Sequence, residues 1–136
     1  AVIFHAYRMH VWPAVALTAA LYHCINHAVF KTLLFMVTGS VMHATHERSL
    51  GHLGGLIRRM PWVAFAALIG TLAIAGLPPL NGFISEWLLL QAFLLTPGLP
   101  NSYLNMLVPV ATAALVLASA LAAYVMVKFY GVVFLG

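Results

Sequence analysis

The chain has 136 residues, of which 64% are hydrophobic and 6% are charged, and its formal net charge is +4 at pH 7. So little charge excludes a soluble globular domain, whose surface needs many more charged residues, and it makes lipid the expected solvent of the chain. The single cysteine, Cys24, excludes an internal disulfide framework and also zinc or iron–sulfur sites held by several cysteines.

The apolar segments predict transmembrane helices rather than a barrel, because they are much longer than the roughly 10 residues of a barrel strand and do not alternate. We therefore expect an all-α transmembrane protein with three main membrane-spanning helices, the second of them broken near its middle. The few arginines flank the apolar segments, as residues that set membrane topology do. We accordingly expect the lipid bilayer as a partner and no nucleic acid.

Residues 1–12 are predicted to form the end of a preceding helix that runs into a polar turn, with Arg8 and His10 at a membrane surface. This start predicts that residues 1–136 are an internal piece of a single, longer polytopic membrane domain. Pro13 suits the first turn of the next helix, because its missing N–H is not needed there.

Helix one is predicted over about residues 13–43, and three ionisable side chains lie near its centre. His23, His27 and Lys31 follow at intervals of four residues, so they lie within an arc of about 80° and about 6 Å apart along the helix. A lysine near the bilayer midplane costs roughly 3 kcal/mol on insertion scales. Three aligned groups of this kind, here called the His–Lys ladder, favour a proton relay.

The two histidines of the ladder could also serve in packing or bind a haem. Either histidine, taken singly, is equally well explained as a packing residue that is hydrogen-bonded to a neighbouring helix. A bis-histidine haem would need a second buried histidine on a facing helix, whereas the remaining histidines lie at predicted helix ends or in loops. No cofactor and no metal is therefore expected in this chain.

Residues 44–61 form the one clearly polar loop, which contains Glu47 and three arginines. Its histidines match no metal-ligand spacing, so a solvated loop at the membrane interface is expected. The arginines predict that this loop is cytoplasmic, and the uncharged turn at residues 96–105 is then expected on the opposite side.

Helix two is predicted over about residues 62–95, with a break at residues 76–82. Two prolines inside this apolar span lack N–H donors and clash with the preceding turn, so a continuous helix is excluded. Unpaired backbone groups are not tolerated against lipid, so the break should be buried in protein or line a polar cavity. The residues that define the predicted break are Gly76, Pro78, Pro79, Asn81 and Gly82.

Glu86 follows the break by about one helical turn. It would be favoured there as a structural cap of the second half-helix, but Ser85 could cap equally well without the cost of a buried charge. A functional role for Glu86 is therefore favoured.

Helix three is predicted over about residues 104–134, and Lys128 near its end either reaches to the membrane surface or takes part in a proton exit.

Three segments of the chain together resemble one family: YHCINHAVFKTLLFMVTGSVMHATH, LGGLIRRMPW and GLPPLNGFISEWLLLQAF. They look like the antiporter-like, proton-conducting membrane subunits shared by respiratory complex I, Mrp-type cation/proton antiporters and group 4 membrane-bound hydrogenases. The combination of His-x3-His-x3-Lys with a broken LPPLNGF helix is specific, and the SEW that follows looks most like the hydrogenase branch.

The resemblance implies a larger helical bundle with two inverted repeats, in which this chain would supply the closing helices of the second repeat. It implies other membrane subunits of a hydrogenase or complex I-like assembly, and the remaining helices of the full-length protein, as partners. It also implies a central proton path formed by His23, His27, Lys31 and Glu86, with Lys128 matching a lysine usual in the hydrogenase branch.

Four functions remain open from the sequence. The first is a proton-translocating subunit of a hydrogenase-type oxidoreductase complex in the cytoplasmic membrane, and the second is a complex I subunit that moves protons with quinone reduction. The third is a cation/proton antiporter subunit without redox coupling, and the fourth is a structural scaffold, for which Lys31 and Glu86 would be dispensable. No nucleotide-binding loop and no nucleophile with a base is visible in the sequence, so the chain is not expected to have an active site of its own.

Overall fold

The computed structural model describes residues 1, 2, 5, 11–94 and 100–136. Within these ranges the chain is helical and has no strand, which confirms the predicted all-α class. The predictions for Arg8 and His10, and for the first part of the turn at residues 96–105, lie outside the described residues.

Four α-helices follow one another along the described part of the chain. They are α1 (Val11–Thr45), α2 (Pro61–Ile74), α3 (Asn81–Leu94) and α4 (Ser102–Tyr130). Two short 3-10 turns, Leu50–His52 and Leu56–Arg58, lie in the polar loop between α1 and α2, and a π-helical turn, Gly131–Leu135, continues α4. By length and composition, α1 and the segment Ser102–Leu135 are suited to cross a membrane, and α2 is a shorter apolar helix.

One face of α1 forms the packing surface for the other helices. The buried side chains of α1 recur at steps of three, four and seven residues, as expected for one stripe of a helix, and they are Ala19, Asn26, Phe30, Leu34, Val37 and Val41. Both α2 and α3 pack along α1, whereas α4 packs mainly on α2 and has no fully buried residue. The side of α1 opposite this stripe is exposed in the described part of the chain.

A hydrophobic cluster holds the loop end of the bundle together. It joins α1, the polar loop, α2 and the π-helical turn through Val37, Val41, Leu56, Ala64, Ala67, Val133 and Phe134. Leu56 and Phe134 are 4% and 0% exposed. Burial of a side chain of this size contributes about 1.5–3 kcal/mol, so the cluster fixes the polar loop against the helices.

The helix boundaries differ in places from those expected. The interruption covers residues 75–80, because α2 ends at Ile74 and α3 begins at Asn81. Asn81 and Gly82, expected in the break, are therefore the first residues of α3. A helix can begin as soon as Pro79 has been passed, since a proline disturbs mainly the turn that precedes it. α4 begins at Ser102, where the Asn101 side-chain oxygen accepts a bond from the Tyr103 N–H at 3.0 Å.

Candidate functional site

The end of α2 at the interruption is a closed cap. Gly76 has a φ of 66°, in the left-handed region that glycine adopts without strain. The Gly76 N–H donates to the Ala73 carbonyl at 3.2 Å, and the Leu77 N–H donates to the Leu72 carbonyl at 3.2 Å. This pair of bonds is the Schellman motif, and it satisfies carbonyls that a broken helix would otherwise leave without partners.

The two half-helices meet in direct backbone contact. Pro78 and Pro79 follow the cap, joined by a cis peptide bond, and the Leu80 N–H donates to the Leu77 carbonyl at 3.0 Å. Gly82, in the first turn of α3, lies so close to α2 that a Cβ added there would overlap the carbonyl oxygen of Ala73. The interruption is thus a compact turn with little space between the half-helices.

Two sets of hydrogen bonds tie α1 to the start of α3. The Asn26 amide donates to the Asn81 backbone carbonyl at 3.1 Å, and the Asn81 amide donates to the Asn26 side-chain oxygen at 3.2 Å. Three residues earlier on α1, Nδ1 of His23 lies 3.0 Å from Oγ of Ser85. Asn26 and Ser85 are both buried, so these polar contacts lie inside the helix bundle.

The His–Lys ladder is only partly covered in the described structure. The rings of His23 and His27 are parallel within 7°, with centroids 6.1 Å apart, and His27 also makes an edge contact with Phe30. His23 and Lys31 are half-buried, whereas His27 is exposed. A charged or titratable side chain in a membrane faces protein or water rather than lipid, so the exposed edge of the ladder is expected to face one of these.

Lys31 borders a small cavity between α1 and α4. The cavity has a volume of about 170 Å³ and is lined by Lys31, Leu34, Phe35, Thr38, Met126 and Phe129. A water molecule occupies about 30 Å³ in the liquid, so this space is large enough for several waters. The lysine and the Thr38 hydroxyl are the polar side chains available to hold them.

Glu86 faces the interruption directly. A Cβ added to Gly76 would lie 2.6 Å from Oε2 of Glu86, so the carboxylate rests against the glycine that caps α2. Glu86 is half-buried, and within the described residues no salt bridge joins it to Lys31. Ser85 does not cap α3 as it could have done, because its hydroxyl lies 2.9 Å from the Gly82 carbonyl within the same helix.

Lys128 stands apart from the other predicted site residues. It is exposed on α4, although its neighbours Met126 and Phe129 line the cavity beside Lys31. The structure thus joins His23 of the ladder to the half-helix that bears Glu86, whereas Lys31 faces the cavity beside α4.

The polar loop has its own electrostatic feature. Oε1 of Glu47 accepts bonds from the backbone N–H groups of Arg48 at 2.8 Å and Ser49 at 2.9 Å, and Oε2 lies 3.2 Å from Nδ1 of His52. The bond from the Ser49 N–H, followed by that from His52, holds the pKa of Glu47 below its usual value. In the described ranges no three histidine, cysteine or acidic side chains are grouped as a metal site would require.

Asn26 and Ser85 belong to this site, although the sequence alone did not predict them as members of it. Asn26 lies on the packed stripe of α1, where a polar side chain needs a partner. Ser85 directly precedes Glu86. A polar residue within an apolar stripe was the available signal for Asn26. Its partner Asn81 could not be identified in this way, because it lies 55 residues away along the chain.

Residues 6–115 match the family described as NADH:quinone oxidoreductase/Mrp antiporter, TM. The chain is 43% identical over 122 residues to hydrogenase-4 component B of Escherichia coli and 42% identical over 123 residues to formate hydrogenlyase subunit 3 of the same organism, each alignment covering 90% of this chain. It is 38% identical over 121 residues to Na(+)/H(+) antiporter subunit A1 of Staphylococcus saprophyticus, over 89% of this chain. These alignments cover 18%, 20% and 15% of the relatives, so the chain spans about a fifth of their length or less.

Proposed function

The chain belongs to the NADH:quinone oxidoreductase/Mrp antiporter family of transmembrane subunits, and on that premise we propose that it conducts protons across a membrane. The relay consists of the His–Lys ladder on α1 and Glu86 on α3. The observation that carries this proposal is the contact of 3.0 Å between His23 and Ser85. It joins the ladder to the half-helix that bears Glu86, at the residue directly before it.

The membrane arrangement follows from helix length. A helix needs about 20 residues to cross the hydrocarbon core, and α2 and α3 have 14 each. In the proposal α2 and α3 therefore cross together as one interrupted span, between the continuous spans of α1 and α4. The direct contact of Gly82 with Ala73 supports this arrangement, because it holds the facing ends of the two half-helices together.

Lys31 and Glu86 are the two charged members of the relay. Opposite charges near the midplane lower the cost of burying each other, and protonation of one changes the proton affinity of the other. A proton that has passed His23 and His27 rests on Lys31, and the cavity beside Lys31 provides the space for its transfer. A change elsewhere in the assembly then shifts the balance towards Glu86, and Lys128 takes part at the exit.

The full-length protein is proposed to act in a hydrogenase-type oxidoreductase complex of the bacterial inner membrane. The two relatives named after hydrogenase and formate hydrogenlyase, at 43% and 42% identity, favour this assignment. In this setting the partners are other membrane subunits of the complex and the remaining helices of the same polypeptide. Residues 44–61 are proposed to face the cytoplasm because of their arginines.

A second candidate is cation/proton antiport without redox coupling. It is favoured by the 38% identity to a Na(+)/H(+) antiporter subunit. A nickel–iron hydrogenase gene beside the gene of this protein would favour the first function, and a set of antiporter subunit genes would favour the second.

The relay is tested with Lys31→Ala and Glu86→Gln in the full-length protein, purified with its complex and reconstituted in vesicles. Both variants should assemble and lose proton pumping. Electron transfer to artificial acceptors should persist, because the relay moves protons and not electrons. Lys31→Arg is the matched control, since it keeps the charge and releases protons far less readily than lysine. If Lys31→Ala and Lys31→Arg both pump at the parental rate, the relay is wrong and a structural role of the chain replaces it.

A further inference from the structure

The buried hydroxyl of Ser85 has two partners. Its side chain is 0% exposed, and Oγ lies 3.0 Å from Nδ1 of His23 and 2.9 Å from the carbonyl oxygen of Gly82. Both distances are within hydrogen-bond range. The hydroxyl therefore links a titratable ring on α1 to the backbone of α3.

The chemistry of these partners decides the direction of both bonds. A serine hydroxyl has one proton to donate, and a backbone carbonyl oxygen can only accept. Because the bond to the Gly82 carbonyl uses the Ser85 proton, the same oxygen can only accept from His23. Nδ1 of His23 must then carry the hydrogen.

We propose that Ser85 is a positioning residue that holds the neutral ring of His23 in the tautomer protonated at Nδ1. This leaves the lone pair of the ring on Nε2, which is then the nitrogen that accepts a proton. Within the described residues Nε2 has no hydrogen-bond partner, and the parallel ring of His27, at a centroid distance of 6.1 Å, is stacked rather than hydrogen-bonded.

This assignment restricts the path of a proton through His23, a consequence that rests on the proposed function. A proton arriving at Nε2 gives an imidazolium whose Nδ1–H remains bonded to Ser85. It can return through Nε2, whereas departure through Nδ1 requires the Ser85 oxygen to take up that proton while the hydroxyl proton turns away from Gly82 and passes to another acceptor. Ser85 thus controls whether His23 stores a proton or passes it towards α3.

The neighbouring amide pair keeps this geometry in place. Asn26 and Asn81 hold α1 and α3 in register by two hydrogen bonds, one helical turn from His23. The packing of α1 against α3 therefore does not depend on the bond between His23 and Ser85 alone. Loss of the Ser85 hydroxyl should change the tautomer of His23 without separating the helices.

The tautomer is measured by solid-state NMR on the full-length protein in lipid vesicles, with the histidine rings labelled with ¹⁵N. The signals of His23 are identified by their loss in His23→Asn. In the neutral ring of the parental protein, we expect a protonated Nδ1 and an unprotonated Nε2. Ser85→Ala should abolish this preference for a protonated Nδ1, whereas Ser85→Thr, which keeps the hydroxyl, should retain it.

Ser40→Ala is the matched control. The Ser40 hydroxyl also donates to a carbonyl of its own helix, that of Met36 at 2.9 Å, but it touches no histidine, so its removal should leave the His23 signals unchanged. If Ser85→Ala does not assemble, Ser85→Cys keeps the volume of the side chain and supplies only a weak acceptor.

The outcomes separate this inference from the proposed function. A parental His23 protonated at Nε2, or a Ser85→Ala variant with unchanged ring signals, overturns the role of Ser85 whatever the transport rate. If the tautomer is as expected but His23→Asn pumps protons at the parental rate, the role of Ser85 on the ring stands and the relay through His23 is wrong.

Discussion

Replacement of Gly76 by alanine should destabilise the protein in two ways. The φ of 66° at this position costs a residue with a Cβ about 1–2 kcal/mol. The new Cβ would also lie 2.6 Å from Oε2 of Glu86, so the carboxylate has to move. We expect the free energy of unfolding to fall by about 1–2 kcal/mol from the backbone alone, and by more once the displaced carboxylate is included.

Two further variants separate these contributions. Gly39→Ala is the control, because a Cβ there meets no atom within 4 Å inside a regular helix, and it should stabilise the protein by about 0.5–1 kcal/mol. Glu86→Asp shortens the side chain and withdraws the carboxylate from Gly76. In a double-mutant cycle, Gly76→Ala should therefore cost less in the Glu86→Asp background, and the difference measures the steric contribution.

The assay is a reversible titration of the purified full-length protein with SDS, followed by tryptophan fluorescence, with proton pumping measured on the same variants in vesicles. Gly76→Ala should lower both stability and pumping, whereas Gly39→Ala should leave pumping unchanged. If Gly76→Ala is as stable as Gly39→Ala, neither the left-handed cap nor the contact with Glu86 is present in the membrane.

Three more outcomes are expected. Asn26→Leu removes both hydrogen bonds between Asn26 and the half-buried Asn81, each of about 0.5–1.5 kcal/mol, and should cost more in the same titration than Asn26→Gln, which keeps an amide. Since the pKa of Glu47 lies below the ordinary 4.5, its bonds to Arg48 and Ser49 are complete above pH 4.5 and are lost as the pH falls through the lowered pKa. The protection of those two amides from hydrogen exchange, relative to an unstructured peptide at the same pH, should fall in that acid range, and Glu47→Gln should remove most of the pH effect. Ser49→Cys should react with an impermeant thiol reagent from the cytoplasmic side only, and labelling from outside would reverse the assigned topology.

The parts of the fold that depend on local sequence could be predicted. Prolines remove a backbone donor wherever they occur, so an interruption near Pro78 and Pro79 follows from the sequence, and α2 does end at Ile74. The spacing of four residues likewise gives the separation of the His23 and His27 rings, which is 6.1 Å in the structure. These features depend on residues within one or two helical turns.

Contacts between helices could not be predicted in this way. The partner of His23 is 62 residues away, and the offset between α1 and α3 depends on how the whole bundle packs. The position of Lys128 shows the same limit, because the sequence of α4 does not reveal which of its faces turns towards α1. Met126 and Phe129 face Lys31, and the lysine between them is exposed.

The continuous helix α1 limits how the interrupted span can bend. It passes alongside both half-helices, with Leu34 against Gly70 of α2 and Asn26 against Asn81 of α3. A hinge motion at residues 75–80 that tilted α3 away from α2 would stretch the bonds of Asn26 and His23 at the same time, whereas rotation of the Glu86 side chain stretches neither. The moving parts at this site are therefore expected to be side chains and protons, on a backbone that acts as a stiff frame.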